Sequence, residues 1–427
     1  VTSTAGRGVR PSRPGLAALR RSVLIPAPAL VLIVGTLCSR VGDSLASLGM
    51  VLDAADSGLR WGVTEVFLAD LLPPVLAAPF VGGLVDRFDA RTVWLWSLTV
   101  QAVTLGAASV TGGFHARVAL IAVAGLVGVA SASASFKLLP SAAGKDRTAR
   151  ANSLLTAGLA AAGLIGPALG GVLHSAWGTR LMLAVDAASF LVLAACTVVS
   201  VPASTGVRAD RRAPGTSRVL AGFQALRGAP VVGMVLPTLA AVMLATSVEG
   251  VAGVFYLRDV AHGNDALYGL FLASWALGSI PGALIAGRAS WAGRPAALIL
   301  GGALAISVGL LVAGLVPAAA AVFAAFLAGG FGNGVHNVGV RNAVHVHVPT
   351  RLHGSAWACY AAIANCCVGA GYLLGTPNSL VSSRAQVILS GAVALMFVLW
   401  GLLRSLDGAR GSTAPDAMND VRTTTPR

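Results

Sequence analysis

The 427-residue chain is 56% hydrophobic and only 11% charged, with a mean hydropathy of +0.80 and a formal net charge of +14. An ordinary soluble domain carries about 25% charged residues, so the composition argues against a soluble globule. The basic excess raises nucleic-acid binding, and the distribution of that excess along the chain sets it aside.

Apolar runs of about 20 residues recur from end to end, near 23–50, 61–83, 92–111, 117–139, 152–173, 181–201, 231–256, 266–287, 296–316, 319–341, 355–376 and 385–403. Each is long enough to cross a hydrocarbon core of roughly 30 Å as a helix. They lack the alternation of a barrel strand, so helices are the spanning structure left. The first run follows Arg20 and Arg21 as a signal peptide would, but it is too long for a leader and no cleavage site ends it. It is read as a mature helix. Threading the runs with both ends inside puts most arginines on one face, against Arg60, Arg117, Arg180, Arg258 and Arg384 on the other. That asymmetry sets orientation by the positive-inside rule and accounts for the basicity by topology.

An ionisable group at the bilayer centre costs roughly 2.5–3.5 kcal/mol, so each one kept there needs a reason. In the first run Arg40 and Asp43 lie three apart, on one helical face, and can pair. Asp70 lies near the middle of the second, with Glu65 closer to its outer end. Two readings stand for Arg40, Asp43 and Asp70: an ion-pair triad that ties two helices together, or a proton-responsive site in which one arginine faces two acids.

The second run ends in Gly82-Gly-Leu-Val-Asp86-Arg87-Phe-Asp89-Ala-Arg91, a short connection dense in glycine, acid and arginine. The fifth contains Gly163-Leu-Ile-Gly166-Pro167-Ala-Leu-Gly170-Gly171, where the missing backbone donor of Pro167 permits a bend. Asp186 lies in the first third of the sixth run, with a structural and a functional reading both open. The polar stretch 202–230 separates six runs from six and reads as a linker, which suggests an internal repeat. Faint traces support it: Leu139-Pro140 with Ala151-Asn152-Ser153 is echoed by Val348-Pro349 with Gly354-Ser355-Ala356, and Gly82 to Arg91 by Gly282 to Arg294, where the acid is lost.

Glu249 lies deep in the seventh run without an obvious partner in its own span. Asn333, Asn337 and Asn365 follow in the tenth and eleventh, as substrate contacts or as interhelical bonds. His336, His345, His347 and His353 have no acid or cysteine nearby in sequence, so no metal site is assigned. Cys38, Cys196, Cys359, Cys366 and Cys367 fall inside runs and read as small apolar fillers. Glycine pairs four apart, Gly166/Gly170, Gly278/Gly282, Gly330/Gly334 and Gly371/Gly375, read as close helix packing. No phosphate loop or catalytic triad is recognisable, so neither an ATP-driven pump nor an enzyme is expected.

In these residues the chain resembles the major facilitator superfamily. Gly82, Asp86, Arg87 and Arg91 match that family's gating motif between the second and third helices, Gly-x-x-x-Asp-Arg-x-Gly-Arg-Arg/Lys, while Asp89 and Ala90 depart from it. Gly166, Pro167, Gly170 and Gly171 resemble the motif that the family associates with antiporters. The run Gly329-Gly-Phe-Gly-Asn333-Gly-Val-His-Asn337 through Val348-Pro349 to Gly354, with Asp-Arg-Phe-Asp-x-Arg, is similar to the branch of enterobactin-exporter-like and macrolide-efflux-like proteins. One departure is an arginine missing from the fourth helix before Lys137, so proton-coupling residues do not carry over from that position.

The resemblance implies an all-α membrane protein with twelve transmembrane helices in two pseudo-symmetric six-helix bundles, 23–201 and 231–404. A basic tail at 1–22, the linker 202–230 and a tail at 405–427 would be cytoplasmic. It implies a secondary efflux transporter that exports a small organic molecule (a drug, an antibiotic or a siderophore-like metabolite) by proton antiport. A nutrient facilitator or importer, or a transport-inactive scaffold or sensor, is the alternative. Arg40, Asp43, Asp70, Asp186 and Glu249 are the proton or substrate candidates, since the first and seventh helices line the cavity in that family. The expected partners are the substrate, protons and the lipid bilayer, with no nucleic acid, no cofactor and no metal, for a monomer in a bacterial cytoplasmic membrane with both termini cytoplasmic. Two lysines against twenty-eight arginines, with Val1 read as a literally translated GTG start, point to a GC-rich bacterial genome.

Overall fold

A computed structural model of the chain describes residues 25–85, 88–144, 147–201, 230–291, 293–348 and 353–412. Among these the regular structure is helical. In chain order the helices are α1 (Ala27–Asp56), α2 (Gly62–Val85), α3 (Ala90–Val110) and α4 (Phe114–Ala143). The stretch Thr148–Ser200 is broken at Gly178, φ 69° and ψ 179°, into two limbs, α5 (148–177) and α6 (179–200). Then come α7 (Pro230–Val260), α8 (Asp265–Ala286), α9 (Pro295–Leu315), α10 (Ala319–His347), α11 (His353–Gly375) and α12 (Ser383–Ser412). Nine helical stretches among the described residues are long and apolar enough to cross a bilayer, one of them, 150–200, holding two crossings.

Local signals set the ends. Pro26 and Pro28 begin α1 where a missing N–H costs nothing. Asp89, a departure from the family form, is the N-cap of α3: its carboxylate accepts from the Thr92 backbone N–H at 3.0 Å. Asn264 caps α8 in the same way through Leu267. Helix α1 extends past the apolar run that predicts it, to Asp56. Its last turns are buried, and Asp53 there is matched by Arg117 of α4 at 2.9 Å. Gly178 lies where only glycine is comfortable, at a sharp reversal between two crossings. Gly178→Ala should destabilise the fold by about 1–3 kcal/mol, read as a lower thermal midpoint in detergent; an unchanged midpoint would show that the turn relaxes freely.

Helix partners repeat six positions apart. As α1 packs along α5 and α6, so α7 packs on α11 and α12; as α4 contacts α2 and α3, so α10 contacts α8 and α9; as α3 meets α6, so α9 meets α12. Lipid tails supply no hydrophobic drive for association, so close approach of small residues matters more. Gly278 and Gly282 of α8 leave no room for a side chain against the Leu327 and Phe331 carbonyls of α10. Large side chains such as Val199, Leu284, Met396 and Leu403 are exposed, as a lipid-facing surface requires.

Twelve crossings return the chain to the end at which it starts. We call this the tail end and its opposite the far end. The halves meet at the far end, where α5 packs on α8, α2 on α11 and α1 on α7. One apolar core runs through both halves and includes Leu52, Val63, Val251, Tyr268 and Phe271.

Candidate transport site

Helix α1 presents Arg40 and Asp43 on one face, and the Arg40 guanidinium donates to the Asp43 carboxylate at 2.9 Å. One turn of α1 opens at Gly42, and its lack of a side chain admits Asp186 of α6. A Cβ at Gly42 would lie 2.5 Å from an Asp186 oxygen and 2.6 Å from Ser189 Oγ. Asp186 is 2% exposed, and Ser189 Oγ lies 3.2 Å from its carboxylate. Asp70 approaches from α2, and Arg40 acts electrostatically on both Asp70 and Asp186.

These four residues line one cavity of about 590 Å³ within the first half, walled by apolar side chains such as Leu98, Leu105 and Phe190. Sequence reading grouped Arg40, Asp43 and Asp70 and left Asp186 apart; the structure brings all four together. It also adds Gln101 of α3, which donates to Ser131 Oγ of α4 at 3.3 Å and lines the same cavity. A lone amide inside an apolar run is a signal, and Gln101 was legible by it. When all its acids are ionised, the cluster has three negative charges for one positive. A group of that kind can take up protons, a cation, or one of each.

Glu249 lies elsewhere. With Thr246 and Met243 of α7, Leu272 and Trp275 of α8, and Phe326 and Asn333 of α10, it lines a pocket of about 280 Å³ in the second half. Trp275 and Phe326 meet edge to face there, centroids 5.9 Å apart. By the pseudo-symmetry of helix contacts α7 stands where α1 stands. Asn337 donates to the Asn333 backbone and side-chain oxygens, at 2.9 and 3.1 Å, and so supports Asn333 rather than lining the pocket itself. Asn365 of α11 lines neither cavity.

Among the gating residues, Gly82 lies in the last turns of α2 and Arg91 in the first turn of α3, where it reaches the Val198 carbonyl of α6 at 3.5 Å. Asp86 and Arg87 lie outside the described residues. Pro167 lies within the helical backbone of α5, and within Thr148–Ser200 the non-helical dihedrals are at Gly178. The glycines around Pro167 serve packing. A side chain at Gly166 would meet Ser44, and one at Gly170 would meet Leu48, both on α1. Gly171 faces the Asp265 carbonyl of α8, and Gly269 of α8 faces the Pro167 carbonyl, so this segment forms the contact between halves.

That contact holds a charged cluster absent from the sequence reading. Arg258 of α7 reaches Asp56 of α1 at 2.7 Å and Asp265 of α8 at 3.0 Å. His174 Nδ1 of α5 lies 2.8 Å from the other Asp265 oxygen. Beside it, Thr64 of α2 bonds Thr376, just after α11, at 2.7 Å, and Phe67 stacks on Tyr372 at 4.8 Å.

Comparison with known proteins agrees with this architecture. The profile of the Major Facilitator Superfamily matches residues 32–376. The multidrug resistance protein MdtG of Serratia proteamaculans (strain 568) is 26% identical over 228 residues, 53% of this chain and 52% of that protein, so the similarity spans about half of that relative's length. Among solved structures, a bacterial homologue of the human lysosomal transporter Spinster, inward-facing and unoccupied, aligns with a TM-score of 0.63 at 12% identity, over 90% of this chain and 97% of that one. A POT family transporter in complex with 5-aminolevulinic acid aligns with a TM-score of 0.68 at 10% identity, over 90% and 96%. At these identities the likeness is one of fold. With the family profile covering most of the chain and the helices pairing six and six, this multi-pass membrane protein belongs to the Major Facilitator Superfamily.

Proposed function

We propose that the chain is a secondary efflux transporter that exports a small organic cation in exchange for protons. The observation that carries this reading is the gathering of Asp43, Asp70 and Asp186 around the single Arg40 in one largely apolar cavity. Excess carboxylate suits a cationic, partly apolar drug or antibiotic better than an anionic siderophore-like metabolite. The same acids hold protons when the cargo is absent, which is the exchange an antiporter performs. The similarity to a multidrug resistance protein favours the efflux direction.

The positive-inside rule puts both tails in the cytoplasm and the far end outside. The halves meeting at the far end then correspond to a state closed to the exterior, and alternating access requires that contact to part while the tail end closes. Gly82 and Arg91 lie at the tail end, and the family resemblance has Asp86 pair with basic residues in the outward-open state. Asp86→Asn should therefore cut transport at least tenfold with insertion and yield unchanged; normal transport would remove Asp86 from the mechanism.

The reading is tested in inverted membrane vesicles acidified inside. Ethidium should accumulate in vesicles containing the protein, and collapsing the proton gradient should release it. Accumulation of solute into intact cells down an inward proton gradient would instead make the protein an importer.

A further inference from the structure

The far-end cluster joins four helices from both halves, and its charges do not balance. Asp56 and Asp265 carry two negative charges, and Arg258 supplies one positive. Arg258 is shared, reaching Asp56 at 2.7 Å and Asp265 at 3.0 Å. The second Asp265 oxygen is left to His174, 2.8 Å away, with the two side chains only 8% and 11% exposed. A neutral imidazole leaves the cluster one positive charge short, and a proton on His174 closes the account. The contact crosses the seam between halves, α5 on one side and α8 on the other, beside the close approach of Gly171 to the Asp265 carbonyl.

We propose that His174 and Asp265 form a proton site, separate from the central cavity, that latches the far-end gate when a proton from the outside is bound. The proton adds to the free imidazole nitrogen of His174, and Nδ1–H donates to Asp265. The imidazolium faces Asp265 only while the halves are together, so acidification at the far end favours the closed state and alkalinity releases it. Asp56, the most exposed member at 48%, carries the cluster out to water and gives the proton a way in.

The other charged groups near this point do not take the same role. From α8, Tyr268 lies one turn below Asp265 and is 3% exposed. From α7, Asp259 is exposed, and His262 in the turn after it is exposed as well. From α1, Asp53 is engaged by Arg117 at 2.9 Å. Arg180 follows the Gly178 turn and is exposed. The nearby far-end histidine His115 bonds Glu65 at 2.8 Å, within the first half, so its protonation does not bridge the seam.

The proposal rests on the alternating-access reading and is tested without transport. Spin labels go on cysteines at Gly112 and Pro317, exposed far-end loop positions of the two halves, in the full chain with its five native cysteines replaced by serine. In lipid nanodiscs the ratio of short to long label distances should be higher at pH 5.5 than at pH 8. His174→Gln should remove that dependence, while His115→Gln and His262→Asn keep it. A pH-independent ratio in the parent chain, or a dependence that survives His174→Gln or is lost with His115→Gln or His262→Asn, overturns the latch. Halves that never part in any variant or condition overturn alternating access itself, which is a different failure. The parent's elution profile and thermal midpoint, retained by His174→Gln, show that the variant is folded.

Discussion

Asp43→Asn should reduce proton-driven export at least tenfold and leave the protein's stability nearly unchanged. Two charges about 3 Å apart attract strongly at low dielectric, but Arg40 and Asp43 are 60% and 33% exposed to the cavity. Solvent screening brings such a pair to about 1 kcal/mol or less. The larger consequence is functional. Asp43 is the member that touches Arg40 directly and acts electrostatically on both Asp70 and Asp186. Its loss frees the guanidinium to pair with the remaining acids, which changes how many protons the cluster can exchange for a cation. Export driven by a pH gradient should therefore fall while exchange of labelled for unlabelled substrate across the same vesicles continues. Asp43→Glu keeps a titratable group and should restore part of the driven export. Driven export at the parent rate in Asp43→Asn would move the proton-carrying role to Asp70, Asp186 or Glu249.

What the sequence made legible follows from the solvent that surrounds each part. The bilayer demands long apolar helices, so the crossings can be read from hydropathy, and errors fall where a helix runs on into protein. Helix α1 outruns its apolar stretch because Asp53 finds Arg117. Intramembrane acids can be read as well, since their cost makes each one conspicuous. Their grouping is harder: Asp186 reaches Arg40 and Asp43 because Gly42 leaves space, and no spacing along the chain encodes that contact. The far-end cluster was not legible for a related reason. Asp56, His174, Arg258 and Asp265 each stand near the end of a helix, where a charge is ordinary, and only folding shows that they meet. Of His336, His345, His347 and His353, the histidines conspicuous in the sequence, His336 is fully buried between α9 and α10 with Nδ1 at 3.1 Å from the Ile299 carbonyl. The histidine that bridges the halves is His174. Asp89, where the chain departs from the motif, is a sound helix cap.

Gly171→Leu should disable transport by holding the far end apart. The backbone of α5 approaches α8 so closely here that even a Cβ at position 171 would collide with the Asp265 carbonyl, and backbone cannot swing aside as a side chain can. Gly269 makes the reciprocal approach to the Pro167 carbonyl, so the two helices touch through glycine on both sides. Overpacking costs about 1–3 kcal/mol, which multiplies the ratio of open to closed by roughly 5 to 150. The chain should still fold, because the face of α5 that bears Gly166 and Gly170 packs on α1 independently of the gate. A cysteine at Val63, fully buried in the shared far-end core, reports the result: it should be unreactive to a membrane-impermeant maleimide in the parent and reactive in Gly171→Leu. Gly166→Ala, which presses on Ser44 of α1 within the same half, should lower stability without exposing that cysteine. If Gly171→Leu transports normally and leaves the cysteine unreactive, the α5 to α8 contact is not the gate. The motif associated with antiporters would then need a role other than the one its glycines give it here, which is to let two halves close on each other without side chains between them.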